Sequence, residues 1–289
     1  MITQIENLSW SFEDDDGDPI SQTLKSGKTW SSDVMGVVNH MIANHKSNAT
    51  VVDVGAHIGS FAVQCASKYP RWEVVGVEGS KTNFGHLLTN KKQNDLSNLS
   101  VFNHCVGNGT SIQFDYGNSG SHVATQEKKG VDVETAKRFD EEFSFLTSLD
   151  FLKVDIEGFE IEFFKGATKL IKKFEPIIFF EVNGHTLKFF DKMPNHLLAY
   201  VEEVLGYRLF LFGQNLIPLN NYQPFPFGVC DVIAVRDKDL SKLWNLGLPM
   251  CSSDIVPAFT STFERGNDDI KNYCKWYGDK FQLLHKIVE

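Results

Sequence analysis

The sequence predicts an α/β fold with a mostly parallel, doubly wound sheet that is closed by an antiparallel hairpin. Between residues 50 and 205, short apolar strands alternate with helical segments, which is the pattern of βαβ units and a parallel sheet. Further on, "YRLFLFG" and "VCDVIAVR" form two strands joined by a loop rich in Pro and Asn. Two strands joined in this way favour a hairpin at the edge of the sheet.

The individual elements follow from hydrophobic periodicity and from turn residues. The predicted strands are Thr50–Gly55, Glu73–Glu78, "LSVFNHCV" (99–106), 150–156 and "PIIFFEV" from Pro176. The predicted helices cover about Ser32–His45, Ser60–Lys68, Thr82–Gln93, Glu160–Lys173 and Asn195–Leu205. Residues 107–130 are rich in Gly, Ser and Asn and are predicted to form loops or a short hairpin beside the sheet.

The domain organisation follows from the same patterns. Residues 1–48 are predicted to be an N-terminal segment that ends in the Ser32–His45 helix, and residues 49–240 the main α/β domain. Residues 241–289 are predicted to be a mostly helical extension packed on the same domain, with a helix over Asp268–Val288.

Composition and charge exclude several function classes. The net charge of −9, without a basic stripe, disfavours a nucleic-acid partner. Five scattered cysteines fit neither a disulfide framework nor a four-thiolate zinc site. No apolar stretch reaches the roughly 18 residues of a membrane span, and the N-terminus does not resemble a signal peptide. We therefore expect a cytoplasmic protein that acts on a small molecule or a glycan; its oligomeric state stays open.

A glycine-containing turn, "VVDVGAHIGSF" (51–61), follows the first predicted strand. Glycines let the backbone approach a ligand beneath a helix N-terminus. A dinucleotide fingerprint aligned on Gly55 would need glycines at positions occupied by His57 and Ser60. The spacing of Gly55 and Gly59 after Asp53 is instead the pattern of S-adenosylmethionine-dependent methyltransferases. The alternative is a glycine-containing turn without a ligand.

An acidic residue ends the second predicted strand. Glu78 lies nineteen residues beyond Gly59, and a carboxylate in this place can accept hydrogen bonds from both hydroxyls of a ribose. The order of strand, glycine turn, helix, strand and acid predicts a site for the nucleoside part of a cofactor. On its own, Glu78 could equally be a solvated carboxylate at the end of a strand.

The stretch "FLKVDIEGFEIEFFKGA" (151–167) has charges inside an apparently buried strand. Lys153, Asp155 and Glu157 alternate along it, although removing a charge from water costs several kcal/mol. Ligands of doubly wound sheets bind beyond the carboxyl ends of the strands, so these charges predict a functional site. The alternative is a buried structural ion-pair network. Glu181 ends the neighbouring strand, and His185 just beyond it is a candidate base.

These motifs together resemble the FkbM-type methyltransferases. The resemblance rests on "VVDVGAHIGSF", "VVGVEGSKTNFGHLLTN", "FLKVDIEGFEIEFFKGA" and "KKFEPIIFFEVN" and covers about Ser21 to Arg236. It implies a Rossmann-like class I methyltransferase fold, S-adenosylmethionine as cofactor, and O-methylation of sugars or related hydroxylated metabolites. One departure is His57, since the family generally has Asn at that position.

The predicted site residues form two sets. Those predicted to bind the cofactor are Asp53, Gly55, Ala56, His57, Gly59, Phe61, Glu78, Gly79, Ser80, Val106, Asp155 and Glu157. Those predicted to act in catalysis are Asp155, Glu181, His185 and Lys153, with Asp155 as the first choice for the base. No ligand spacing fixes a metal, but Asp155 and Glu181 would hold a divalent cation if one takes part.

The leading hypothesis is methyl transfer to a hydroxyl oxygen of a sugar or glycosylated metabolite. A nucleic-acid methyltransferase would share the cofactor half, but the acidic charge opposes it. The other alternative is a noncatalytic domain that binds a cofactor or a glycan.

Overall fold

The computed structural model describes residues 2–13, 18–115, 122–123, 133–213, 216–219, 229–244 and 246. The predicted helix over Asp268–Val288 and nearly all of the predicted C-terminal extension lie outside these residues. Among the described residues, none of the helices combines the length and the apolar character that a membrane crossing requires.

The strands and helices are numbered in chain order. Strands β1 to β15 are Ile2–Ile5, Leu8–Ser11, Thr50–Val54, Glu73–Val77, Leu99–Phe102, Val106–Gly107, Ser111–Asp115, His122–Val123, Val133–Thr135, Lys137–Arg138, Phe151–Val154, Ile177–Asn183, Arg208–Phe212, Ile217–Leu219 and Val229–Val235. Helices α1 to α9 are Pro19–Lys25, Ser32–Val38, Ala62–Lys68, Lys81–Gln93, Phe139–Glu142, Glu160–Phe174, Gly184–Phe189, Pro194–Ala199 and Leu240–Trp244. Short π-helical turns, Asn39–Ala43 and Tyr200–Val204, follow α2 and α8, and a 3₁₀ turn, Asp237–Asp239, precedes α9.

The main sheet has the strand order β14-β13-β15-β12-β11-β3-β4-β5. The strands from β12 to β5 pair in parallel, whereas β15, β13 and β14 pair antiparallel. This arrangement confirms the predicted doubly wound sheet with an antiparallel hairpin at one side; β14 is an additional edge strand. The strand order reverses at β3, between β4 and β11, so the crevice expected of such sheets lies at the carboxyl ends of β3 and β11.

Two hydrophobic layers cover the faces of the sheet. Along β3 every residue is buried, and alternate residues face opposite layers, so that Val51 belongs to one and Val52 to the other. Full burial of a valine side chain contributes about 1.5–3 kcal/mol, which explains why the central strands are continuous β-branched runs. The layer that includes Val51 also includes Phe151 and Phe179, and it continues into the N-terminal segment.

The N-terminal segment contains elements that the periodicity did not reveal, namely the β1–β2 hairpin and α1. The hairpin buries Trp10 completely in the layer that covers one face of the sheet. It also lies against α4, where the backbone N–H of Ser9 donates to Asn94 Oδ1 at 2.8 Å. The hairpin strands have only four residues each, which is too short for a clear period-2 pattern.

Two predicted strands end earlier than expected. The strand predicted over 99–106 ends at Phe102, because the next side chain, Asn103, donates to the carbonyls of Glu78 and Gly79 instead of continuing the ladder. The strand predicted over 150–156 ends at Val154. There the buried Glu160 carboxylate accepts the N–H groups of Ile156 and Gly158 at 3.2 and 3.0 Å, which closes a turn.

Helix α6 approaches β6 so closely that only glycine fits at position 166. A Cβ atom there would lie 1.8 Å from the carbonyl oxygen of Gly107.

We expect Gly166→Ala to lower the free energy of unfolding by ~1–3 kcal/mol through overpacking. Gly85→Ala is the matched control, because Gly85 lies on the exposed side of α4 with no atom near its Cβ position; it should gain ~0.5–1 kcal/mol. Urea denaturation measures both, and equal stability of the two variants would contradict this packing.

Candidate active site

A cavity of about 720 Å³ opens at the carboxyl ends of β3, β4, β11 and β12. The start of β15 and the N-terminal segment around α1 and α2 complete its wall. This volume lies within the roughly 300–1,000 Å³ of small-molecule sites, and the location is the switch point at which doubly wound sheets bind ligands. The cavity therefore defines the candidate active site.

Gly55 brings the turn after β3 against the turn after β11. Its φ is +81°, and a Cβ atom at this position would lie 1.7 Å from the backbone oxygen of Asp155. The N–H groups of Gly55 and Ala56 both donate to the carbonyl of Val77 at the end of β4. Glycine is therefore required because three strand ends converge here, and Gly55 itself lines the cavity.

Gly59 is constrained by helix packing, whereas the sequence predicted that it contacts a cofactor. It does not belong to the described cavity lining, its φ is +94°, and a Cβ atom would lie 2.7 Å from side-chain carbons of Leu87 and Val63. This glycine allows the helix that follows the turn to pack on α4. Its predicted contact with a cofactor is not supported by its position.

Glu78 is held rigidly at the cavity wall. Its Oε2 accepts the N–H of His57 at 2.8 Å and its Oε1 accepts the N–H of Ser80 at 2.7 Å. The side chain is 6% exposed, and burial raises its pKa to about 7, although the two backbone hydrogen bonds oppose the shift. Each carboxylate oxygen retains a further lone pair for a ligand hydroxyl.

His57 lies at the cavity wall with its backbone in the left-handed region, at φ +53°. Asn, Asp and His are the non-glycine residues that adopt this conformation most readily. His57 is therefore compatible with this backbone turn, and so is the Asn that FkbM-type methyltransferases generally have at this position.

Of the remaining residues predicted to bind the cofactor, some line the cavity and others lie behind its wall. Gly79 and Val106 line the cavity, together with His104 and Cys105, which the sequence did not indicate. Three others lie behind the wall: Ala56 is buried, Phe61 packs on Phe151 with ring centroids 6.0 Å apart, and Ser80 caps α4 by accepting the N–H of Asn83. We infer that these three act through their neighbours, since none lines the cavity.

Lys153 explains the charges in the buried strand. Its Nζ lies 3.5 Å from Asp53 Oδ1 and 3.1 Å from Asp155 Oδ2, and Lys153 and Asp53 are direct register partners on β11 and β3. Burial alone would lower the pKa of the ammonium, but Asp155 and Asp53 outweigh burial and raise it. Burial raises the pKa of Asp53 despite the lysine. The group is thus a buried ion-pair network whose outer member, Asp155, faces the cavity.

Three carboxylates converge beyond this ion pair. One oxygen from each of Asp155, Glu157 and Glu181 lies within 4.8 Å of the other two. Burial, followed by the negative charges of Asp155 and Glu157, raises the pKa of Glu181 strongly. Oxygen ligands at this spacing fit a hard divalent cation, and they equally fit a proton acceptor in the Glu181 carboxylate.

Asp231 is a site residue that sequence reasoning missed. It lies on β15 directly opposite Glu181 and lines the same cavity. Burial, and then the charge of Asp155, raise its pKa to about 6. The available signal was the one used for Asp155, a carboxylate inside the apolar strand "VCDVIAV".

His185 is separated from the other predicted catalytic residues. It is exposed in the first turn of α7, where its backbone N–H donates to Asn183 Oδ1 at 3.1 Å, and it is absent from the described cavity lining. Helix α7 thus presents His185 on its exposed side, whereas Leu187 of the same helix is buried. The predicted catalytic role of His185 is therefore not supported by its position.

The N-terminal segment forms one wall of the cavity. Trp30, 42% exposed, and Asp33 at the start of α2 both line it. Gln64 donates to the backbone oxygen of Trp30 at 2.7 Å, which ties this wall to α3. No local sequence pattern indicated that the segment contributes to the site.

Comparisons with known proteins match a large part of the chain. A family model described as the methyltransferase FkbM domain matches residues 53–209, which is more than half of the chain. Methyltransferase sdnD of Sordaria araneosa is 29% identical over 163 residues, which cover 44% of this chain and 63% of that protein. The chain thus spans less than two thirds of this relative's length.

Two solved methyltransferase structures match the chain at low similarity. Methyltransferase FkbM from Methylobacillus flagellatus is 18% identical with a TM-score of 0.43, and the match covers 65% of this chain and 44% of that one. Precorrin-6y C5,15-methyltransferase from Geobacter metallireducens is 12% identical with a TM-score of 0.43, and the match covers 73% and 91%. Similarity at this level transfers neither substrates nor residue roles.

The two carboxylates that hold Lys153 should differ in their contribution to stability. Asp53 is 1% exposed and Asp155 is 37% exposed. We expect Asp53→Asn to cost ~3–5 kcal/mol, because it breaks a buried ion pair, and Asp155→Asn to cost at most ~1 kcal/mol, because solvent screens that pair. Guanidinium denaturation of the two isosteric variants measures the difference. A larger loss of stability for Asp155→Asn than for Asp53→Asn would contradict this prediction.

Proposed function

Since the chain belongs to the FkbM family of S-adenosylmethionine-dependent methyltransferases, we propose that it methylates a hydroxyl oxygen of a sugar or glycosylated metabolite. The observation that carries this proposal is the arrangement of the cavity. The fixed carboxylate of Glu78 lies after β4 on one side of the cavity, and the carboxylates of Asp155, Glu157 and Glu181 converge on the side of β11 and β12. Gly55, after β3, lies between the two groups, against the Asp155 backbone. A nucleoside cofactor and a hydroxyl acceptor would meet between them.

We assign the cofactor to the end of the cavity near β3 and β4. Both oxygens of Glu78 are oriented by backbone N–H groups, which supports acceptance of the two ribose hydroxyls in a fixed geometry. The close approach of Gly55 to the Asp155 backbone leaves no side chain between the two turns, so the methionine part would pass over this point. The sulfonium methyl group would then face the carboxylate cluster.

The protein's contribution to the reaction would be alignment and removal of a proton. In the transfer, the bond between sulfur and methyl breaks, its electrons remain on sulfur, the acceptor oxygen forms the new bond, and the hydroxyl proton passes to a carboxylate. Alignment can supply ~7–11 kcal/mol and a positioned base about 10²–10⁴-fold. Asp155 is the first choice for the base, with Glu181 as its neighbour; Lys153 would orient Asp155 through the 3.1 Å ion pair.

The proposal extends to a divalent cation bound by the carboxylate cluster. Asp155 and Glu181, with Glu157, offer oxygen ligands at a suitable spacing. A cation bound there would lower the pKa of the acceptor hydroxyl. Proton removal by a carboxylate does not require it.

Two alternatives remain distinct from the proposal. Against a nucleic-acid methyltransferase stand the net charge of −9 and a described cavity lining with six carboxylates and one lysine, which would repel phosphates. A noncatalytic binding domain is disfavoured by the carboxylate cluster, since buried like charges are costly unless they serve a function. A cytoplasmic location is part of the same proposal, supported by the thiols of the described cysteines Cys65 and Cys230, which are not in disulfide bonds.

Cofactor binding should strengthen as the pH rises through about 7. Burial raises the pKa of Glu78 to about 7, so the side chain is mostly neutral at pH 6 and mostly ionised at pH 8. The ionised carboxylate is the better acceptor for ribose hydroxyls. Isothermal titration calorimetry with S-adenosylhomocysteine should show this rise in wild type, and affinity ~1–3 kcal/mol weaker at pH 8 with little pH dependence in Glu78→Gln. If wild type and Glu78→Gln showed the same dependence of affinity on pH, Glu78 would not belong to the cofactor site.

The acceptor and the base can be tested together. We expect purified protein with methyl-labelled S-adenosylmethionine to label glycans or glycosylated metabolites in a panel that also contains lipids and RNA. Asp155→Asn should lower the single-turnover rate at least ~10²-fold with unchanged cofactor affinity, since the amide cannot accept a proton.

Thr168→Ser is the control variant, because Thr168 lies in α6 outside the described cavity lining and serine keeps the hydroxyl that bonds Phe164 and Tyr200. Label in RNA alone would support the nucleic-acid alternative, and cofactor binding without any labelled acceptor would support the binding-domain alternative. Loss of labelling after treatment with EDTA, restored by Mg²⁺, would support the cation.

A further inference from the structure

Glu181 and Asp231 form a pair of carboxyl groups across two neighbouring strands. Burial raises the pKa of both groups, most strongly that of Glu181, so the pair shares a proton and presents a single negative charge near neutral pH. They are direct partners in the antiparallel pairing of β12 with β15, so both side chains lie on the same face of the sheet. Residues in this relation have Cβ atoms about 4.5–5.5 Å apart, and like charges there destabilise a sheet. Packing therefore does not explain the pair, which lines the cavity on both strands.

The other charged groups around the pair do not neutralise it. Lys153 is the one lysine or arginine in the described cavity lining; it contacts Asp53 and Asp155 directly, and its charge also attracts Asp231. The further charges that act on the pair are the carboxylates of Asp155, Glu157, Glu160 and Asp33, of which all but Glu160 line the cavity. The acceptor end of the cavity therefore carries an excess of negative charge.

The two forms of the proposed cofactor differ by one charge. S-adenosylmethionine and its product S-adenosylhomocysteine share an ammonium group and a carboxylate, but only the substrate has a positively charged sulfonium. An interaction that distinguishes them must therefore act at the sulfur atom. At an effective dielectric constant of about 20, one negative charge about 12 Å from the sulfur would change the binding constant roughly tenfold, and a closer charge would change it more.

We propose that Asp231, paired with Glu181, determines the preference of this enzyme for the charged cofactor by placing negative charge beside the sulfonium. The inference rests on the proposed cofactor orientation and extends it to a residue outside the part of the chain, residues 53–209, that the family model matches. After methyl transfer the sulfur is neutral and the attraction ends, so the same pair would favour release of the product.

Calorimetry with the two cofactor forms tests this inference. The dissociation constants of S-adenosylmethionine and S-adenosylhomocysteine are measured for wild type, Asp231→Asn, Glu181→Gln and the double variant. Because either carboxylate alone still presents a negative charge, the double variant removes the attraction most completely. Glu73→Gln is the control, since Glu73 is exposed at the start of β4, at the opposite end of the sheet.

We expect the double variant to bind S-adenosylmethionine roughly tenfold more weakly (about 1.4 kcal/mol), with unchanged affinity for S-adenosylhomocysteine. The ratio of the two constants should move less in each single variant and not at all in Glu73→Gln. The unchanged product affinity shows that the cavity is intact. Melting temperatures should not fall in the single variants, since each keeps the single negative charge of the pair.

The outcomes separate this inference from the proposed function. If wild type binds both forms and the ratio is unchanged in the double variant, the role of Asp231 is wrong while the cofactor assignment stands. If the double variant weakens both forms equally, the pair is structural and the inference is also overturned. If wild type binds neither form, the proposed function fails and the inference fails with it.

Discussion

The ion pair between Lys153 and Asp53 is the constraint on which the rest of the site depends. The two residues are register partners on β11 and β3, the strands that flank the point where the sheet changes direction. A buried charge without a partner is very costly, so each residue requires the other, and the ammonium then holds Asp155 at 3.1 Å on the cavity side. The orientation of Asp155 is thus set by an interaction inside the sheet.

The turns around this ion pair are compact because glycine allows backbone to meet backbone. Gly55 packs on the carbonyl of Asp155, and Gly158 packs on the backbone of Thr186 with φ +98°. A side chain at position 55 would push the end of β3 away from the turn that follows β11. A side chain at position 158 would push α7 away from that turn. The carboxylates at the acceptor end therefore stand on a rigid backbone, which is the condition for preorganised electrostatics in a transfer reaction.

The same cavity combines groups of very different electrostatic character. Glu78 is buried but satisfied by two backbone N–H groups, whereas Glu181 and Asp231 are neighbouring carboxyl groups whose pKa values are both raised. The first arrangement costs little and fixes a geometry; the second costs stability and concentrates negative potential. A folded protein retains such a costly arrangement most readily at a functional site, and here both arrangements lie on the wall of one cavity.

The sequence by itself determined the doubly wound sheet, the turn at Gly55, the acid at Glu78 and the charged strand around Lys153, because each depends on residues close together in the chain. It also determined the family, through motifs of the same local kind. The contribution of Asp231, the wall that Trp30 and Asp33 provide, and the distance of His185 from the cavity were decided by tertiary structure. These depend on which strand pairs with β12 and on where the N-terminal segment packs. Strand register and long-range packing join residues far apart in the chain, such as Glu181 with Asp231 and Gln64 with Trp30, and no local pattern contains that information.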